Sequence, residues 1–242
     1  MYNIIMKFVL HTYESRGKSD HGWLKSRFSF SFDQYRNPER MQFGLLRVLN
    51  DDWIVGGRGF GFHPHKNMEI ISIPLSGKLE HKDSLGNELM IGVGDVQTMS
   101  AGSGVIHSEM NSDETLPAEL LQIWIETRKK DILPAHSHKS FLMSEMKEKF
   151  CTLVEPENIR GTGLKIHQDA YILRGIFSKT KSVDYKIKKE GSGLYVFLIS
   201  GKIITEGQVL ETRDALGVWE TETVKLEISE PAEILLIEVP MK

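Results

Sequence analysis

An all-β fold is predicted for this 242-residue sequence on three observations. Helical periodicity is scarce along its length. Most apolar stretches are short, rich in β-branched or aromatic residues, and bounded by Gly, Asn, Asp or Pro. A Ser-Gly-Lys tripeptide recurs between apolar runs in the two halves. Short strands with regularly spaced turn signals read as a sandwich or barrel.

The clearest strand signals, in chain order, are residues 70–75, 89–93, 120–125, 195–199 and 234–239. Residues 140–150 form the best helix candidate, near mid-chain. The internal repeat pairs ISIPLSGKLEH (71–81) with YVFLISGKIIT (195–205), an offset of 124 residues from Ser76 to Ser200. Beyond each turn a second match pairs Gly94, Asp95 and Val96 with Arg213, Asp214 and Ala215. Two copies of one β-barrel give this pattern. The expected division is residues 1–130 and 131–242, with a linker at about 128–140 around Pro134.

Composition narrows the function classes. Forty per cent hydrophobic residues suffice for one large core or two smaller ones. Thirty basic residues against 33 acidic ones leave a net charge of -3, so no global field draws the chain to nucleic acid or an acidic membrane. The single cysteine, Cys151, has no intramolecular disulfide partner, which fits a reducing compartment. The mildly apolar residues 1–10 are broken by Lys7 and run into HTYESRGKSD without a small-residue cleavage site, which reads against a signal peptide. Met6 is an alternative start to Met1. No apolar run reaches the ~20 residues of a membrane span. A cytoplasmic monomer is expected.

The nine histidines are unevenly spread, and none follows His167. His63 and His65 fall in GFHPHKNME, and His107 and Glu109 in GVIHSEMN. In a strand, residues i and i+2 share a face. Each pair therefore projects together, and two such strands in one barrel converge four donors on one interior point. Three imidazoles and a carboxylate suit Fe(II), Mn(II), Ni(II), Cu(II) or Zn(II), with positions open for water and substrate. Spacing leaves the carboxylate open, because Glu69 shares the parity of His65. His136 and His138 repeat the spacing but sit beside Pro134 and read as solvated. His21, His81 and His167 read as ordinary hydrogen-bonded residues, and His11 as exposed.

With these residues assembled, the sequence resembles the pirin family of the cupin superfamily. The first cupin motif runs through Gly57, His63, Pro64, His65, Glu69 and Gly77. The second runs through Gly94, Asp95, Gly102, His107 and Asn111. The likeness also covers DHGWL, FSFSFDQY, FGLLRVLNDDWI, LEHKDSLGNE and LQIWI, is dense from about residue 12 to 127, and persists more thinly to IHQDA. Two features depart from the generic cupin pattern. Ser100 stands where many cupins have proline, and four residues rather than two separate Gly102 from His107; one extra residue also separates Glu69 from Gly77. Pirin-like proteins share both features, and in them the carboxylate ligand lies two residues after the last histidine. By resemblance, then, the metal ligands are His63, His65, His107 and Glu109.

The resemblance implies a bicupin, two jelly-roll barrels packed face to face, with the metal in the N-terminal one. The 124-residue offset puts Ile187 and Lys189 opposite His63 and His65, and neither is a usual ligand. It also implies quercetin 2,3-dioxygenase activity, with O2 consumed and carbon monoxide released. Glu109 would then act as ligand and general base to a metal-chelated flavonol. Fe(II) is the expected ion, with Mn, Ni, Co, Cu and Zn as alternatives. A rival implication is a non-enzymatic regulator whose metal redox state alters a protein-binding surface. The lysine-rich residues 179–189 mark no such surface, since a solvated strand face explains them. Another metal-dependent cupin reaction is a third reading.

Overall fold

The computed structural model describes residues 6–241; Met1, one of the two candidate starts, lies outside them. Twelve strands precede the mid-chain region. They are β1 (Lys7–His11), β2 (Gly17–Asp20), β3 (Leu24–Phe28), β4 (Leu46–Ile54), β5 (Gly59–His65) and β6 (Met68–Ser76), then β7 (Lys78–Asp83), β8 (Glu88–Gly92), β9 (Asp95–Ser100), β10 (Val105–Asn111), β11 (Ala118–Glu126) and β12 (Ala135–Ser140). A single helical turn, α1 (Met143–Met146), follows inside the expected helix segment. Ten strands complete the chain. They are β13 (Phe150–Pro156), β14 (Leu164–Ile166), β15 (Tyr171–Phe177), β16 (Lys181–Lys186) and β17 (Ser192–Ser200), then β18 (Lys202–Thr205), β19 (Gln208–Glu211), β20 (Ala215–Trp219), β21 (Thr223–Ile228) and β22 (Ala232–Pro240).

The strands form two barrels of matching topology. The first pairs a sheet ordered β12-β9-β6-β11-β4-β3-β2 with one ordered β5-β10-β7-β8. The second pairs β1-β20-β17-β22-β15-β13-β14 with β16-β21-β18-β19. Strand membership does not follow a single cut at residue 130. β12 follows that residue yet pairs with β9, and β1 precedes the whole first barrel yet pairs with β20. The two occupy equivalent edges, so each barrel's large sheet is closed by a strand from a chain end or connection. His11 fixes β1 further through a 2.8 Å Nδ1–hydroxyl contact with Tyr195, and it is buried rather than exposed because its ring packs against Phe30 and Tyr195.

The repeated Ser-Gly-Lys is a turn in both barrels. Gly77 and Gly201 have φ of 66° and 97°, a region L-residues avoid. A Cβ would stand 2.8 Å from the Pro117 carbonyl oxygen at Gly77 and 2.1 Å from that of Pro231 at Gly201. The same close backbone approach therefore demands glycine at both places.

The two seven-stranded sheets face each other across one apolar core. Ile71, Ile73, Leu121 and Ile123 meet Tyr195, Phe197, Leu235 and Ile237 there, all fully buried. Phe43 reaches furthest across. Its ring lies 5.4 Å from Tyr195 and 5.9 Å from Trp219, centroid to centroid. It covers Gly193 and Gly217, where a Cβ would come within 2.8 Å and 2.5 Å of it. Arg213 adds polar links from the second barrel to Asp51 and Glu119 of the first, at 3.3 and 3.4 Å. Because both barrels share this core, they are expected to unfold in one transition. Phe43→Ala should cost about 3–5 kcal/mol in chemical denaturation; two separate wild-type transitions would contradict the shared core.

Candidate metal centre

The interior of the first barrel is not uniformly apolar. One cluster of Leu24, Ile54, Leu79, Ile91, Ala118 and Leu120 fills one part, and Ile70, Met99, Ala101 and Val105 form another. A cavity of about 460 Å³ also lies inside, walled by Trp23, Phe28, Phe32, Phe60 and Trp124. His63, His65, His107 and Glu109 all line it.

Antiparallel pairing of β5 with β10 sets His63 directly opposite His107. The register then shifts, so Glu109 faces Phe60, three residues back along β5 while β10 advances two. That bulge turns Phe62 out to solvent and brings Glu109 against the start of β5. Gly59 permits the approach, since a Cβ there would lie 2.3 Å from the Glu109 carbonyl oxygen. The centroids of His63, His65 and His107 form a nearly equilateral triangle with sides of 4.5 to 4.8 Å.

Hydrogen bonding leaves these rings with free lone pairs. His63 Nδ1 donates to the Gly61 carbonyl at 2.7 Å, which leaves Nε2 unprotonated in the neutral ring. That Nε2 lies 3.1 Å from Nε2 of His107. Two nitrogens bound at right angles to one first-row cation stand about 3 Å apart. His65 Nε2 and His107 Nδ1 are buried without a partner. Burial, then the neighbouring imidazoles, holds His65 at about 4 and His107 at about 2, so both stay neutral and able to bind a cation.

Glu109 stands slightly apart. The three histidines form one group able to hold a metal, and Glu109 joins His107 and His81 in a second. Ser72 donates to its Oε1 at 2.8 Å, and the Gln122 amide donates to Oε2. Burial raises its carboxyl above the usual range, against the pull of the Ser72 donor. His81 is fully buried; it accepts at Nδ1 from the Gln97 amide at 3.1 Å and donates from Nε2 to Asp83 at 3.1 Å. It is thus hydrogen-bonded on both sides, in keeping with its sequence reading. Glu69 is not brought to the site. The turn at Asn67, with φ of 52°, resets the alternation between β5 and β6. Glu69 therefore shares the face of Ile71 and Ile73 and accepts from Ser100 at 2.5 Å. His136 is not solvated as its neighbours implied: β12 is a strand, and the ring stacks on His81 at 4.8 Å.

Spacing arguments overlook the polar floor of the cavity. Gln122 pairs with both Ser72 and Asn50, and Asp52 pairs with Ser26. All five are buried. Burial pushes Asp52 up to about 7, opposed by the Ser26 hydroxyl. The available signal was polar residues at inward parity within otherwise apolar strands, as in RVLNDDWI and LLQIW.

Comparison with known proteins places this chain in a family. Residues 9–125 match the Pirin family, and residues 153–239 match the quercetinase C-terminal cupin domain. Quercetin 2,3-dioxygenase of Escherichia coli (strain K12) is 37% identical over 225 residues, covering 93% of this chain and 95% of that protein. The chain belongs to the pirin family. A pirin-like protein of Caulobacter vibrioides is 36% identical over 226 residues, covering 93% and 97% of the two chains. The crystal structure of the bacterial pirin YhhW from Escherichia coli in complex with nickel(II) has a TM-score of 0.91 at 35% identity, covering 97% of this chain and 99% of that one. The pirin match also shows the bicupin architecture, and the donor set of this chain suits the divalent metal that the family implies.

Four buried or half-buried imidazoles make the pH dependence of stability testable. Burial holds His11, His65 and His136 at about 4 and His107 at about 2, against 6.5 for an ordinary histidine. Between these values the four rings take up more protons in the unfolded chain than the raised Asp52 and Glu109 carboxyls take up in the fold, so stability rises with pH across that window. Denaturant midpoints of the metal-free protein should fall from about pH 7 to about pH 5. A flat profile would mean that the rings are charged in the fold.

Proposed function

We propose that this pirin is a metal-dependent dioxygenase that opens the heterocycle of flavonols such as quercetin. In the net reaction, flavonol and O2 give a ring-opened ester and carbon monoxide. The observation that carries the reading is the aromatic-walled cavity ending on three clustered imidazoles and a buried carboxylate. Relatives called quercetin 2,3-dioxygenase support it.

His63, His65 and His107 would hold the metal through their free lone pairs, with Glu109 as the fourth ligand. Fe(II) is the ion proposed, and Mn, Ni, Co, Cu and Zn suit the same donors. When bound, the metal supplies Lewis acidity that favours the deprotonated flavonol hydroxyl and redox chemistry for O2.

The chain's own residues do the remaining work. Trp23, Phe28, Phe32 and Trp124 offer apolar faces to flat rings and keep bulk water from the reacting atoms. Glu109 takes the proton of the substrate's 3-hydroxyl. The Ser72 and Gln122 donors fix both of its oxygens. The bonds of His63 to Gly61 and of Glu109 to its donors hold this geometry before substrate arrives.

Glu109→Gln keeps the shape and the three imidazoles while removing the base. It is expected to lower kcat about 10²–10⁴-fold in a flavonol-depletion assay with Fe(II)-loaded protein. Flavonol consumption under strict anaerobiosis would sink the dioxygenase reading.

A further inference from the structure

The cavity wall formed by β3, β4 and β11 carries more hydrogen-bond acceptors than the chain itself satisfies. Asn50 Oδ1, Asp52 Oδ1 and Gln122 Oε1 are each buried with no hydrogen-bond partner among the described residues. Their residues are only 4%, 2% and 6% exposed, so solvation from outside the barrel does not answer for them. Asn50 and Asp52 lie two apart on the inward face of β4, and Gln122 pairs with Asn50 across the sheet. The Gln122 amide group is already committed to Glu109, which leaves its carbonyl as an acceptor without a donor. No lysine or arginine is among the described residues lining this cavity.

A buried acceptor left unpaired costs about 1–3 kcal/mol, and a carboxylate costs more. Three together on one wall of a ligand-sized cavity are best explained by a ligand that brings donors. Phe28 follows Ser26 on the inward face of β3 and Trp124 follows Gln122 on that of β11, so the acceptors are bordered by aromatic faces. That pairing fits a flat ring carrying hydroxyl groups at its edge.

We propose that Asp52 is a specificity-determining residue of this cavity. It accepts a hydrogen bond from a ring hydroxyl of the ligand, with Asn50 and Gln122 as neighbouring acceptors, and so selects polyhydroxylated aromatic rings over their deoxy counterparts. The inference rests on the cavity being the flavonol site proposed above.

The test is equilibrium binding to the purified full chain under argon, read by quenching of the cavity tryptophans Trp23 and Trp124. Quercetin is compared with 3-hydroxyflavone, which keeps the 3-hydroxyl and 4-carbonyl but lacks every other hydroxyl. The wild type should prefer quercetin by roughly tenfold, the worth of one hydrogen bond to a charged group. Asp52→Leu should bring that ratio to about one, with the loss falling on quercetin. Asp52→Asn, which keeps polarity and shape, should lower it about threefold or more. Circular dichroism and thermal unfolding identify which variants are folded. Equal wild-type affinities, or a ratio preserved in a folded variant, would overturn the assignment. Selective binding without turnover would remove the dioxygenase reading and leave Asp52 in its role. No binding of either compound would overturn both.

Discussion

The pleat of three adjacent strands, β4, β6 and β11, sends alternate side chains to opposite faces, and both faces are buried. Ile71, Ile73, Leu121 and Ile123 go outward to the core between the barrels. Ile70, Ser72, Gln122, Asn50 and Asp52 go inward. A shift of one residue in any of these pairings would put the polar row into the apolar core and isoleucines into the cavity. Register is therefore enforced twice, once by the core and once by the cavity. The same pairing that fixes the fold sets Ser72 and Gln122 at the two oxygens of Glu109.

The second barrel shows what the topology does without that polar row. Its small sheet repeats the order of the first, and its strands β16 and β21 stand where β5 and β10 stand. On them Val183 pairs with Leu226 and Tyr185 with Val224, and all four pack into the barrel interior. The interior closes into one continuous apolar cluster around them. Tyr185 donates to the buried Glu238 at 2.8 Å, which satisfies the carboxylate within the protein. The second barrel packs through the shared core against the sheet that carries the cavity floor.

The sequence made the barrel architecture and the histidine triad legible for one reason: both are written in period two. His63 and His65, or His107 and Glu109, need only strand parity to be paired, and the repeated turn glycines mark where strands reverse. Parity fails across turns. It assigned Glu69 the face of His65, but Asn67 reverses the chain between them and turns Glu69 away. The bulge at Gly61 and Phe62 was equally hidden, because it depends on how β5 meets β10 and not on β5 alone. Strand exchange lay beyond local pattern too. Residues 135–140 look like a polar linker because β12 is an edge strand with one side open, and edge strands carry little apolar signal.

Electrostatics tie the inward row to the proposed chemistry. Burying Glu109 and Asp52 in one cavity is costly when no lysine or arginine lines it. Two donors on Glu109 offset part of that cost, and the raised carboxyls of both residues record what remains. The histidines cannot supply the missing positive charge, because burial and mutual repulsion keep His65 and His107 neutral. Neutral nitrogens and a buried carboxylate make an environment that a divalent cation would relieve and a proton relieves poorly. A cation held there would draw Glu109 toward its charged form. Asp52, further along the floor, would still need a donor, and a hydroxylated ligand supplies one.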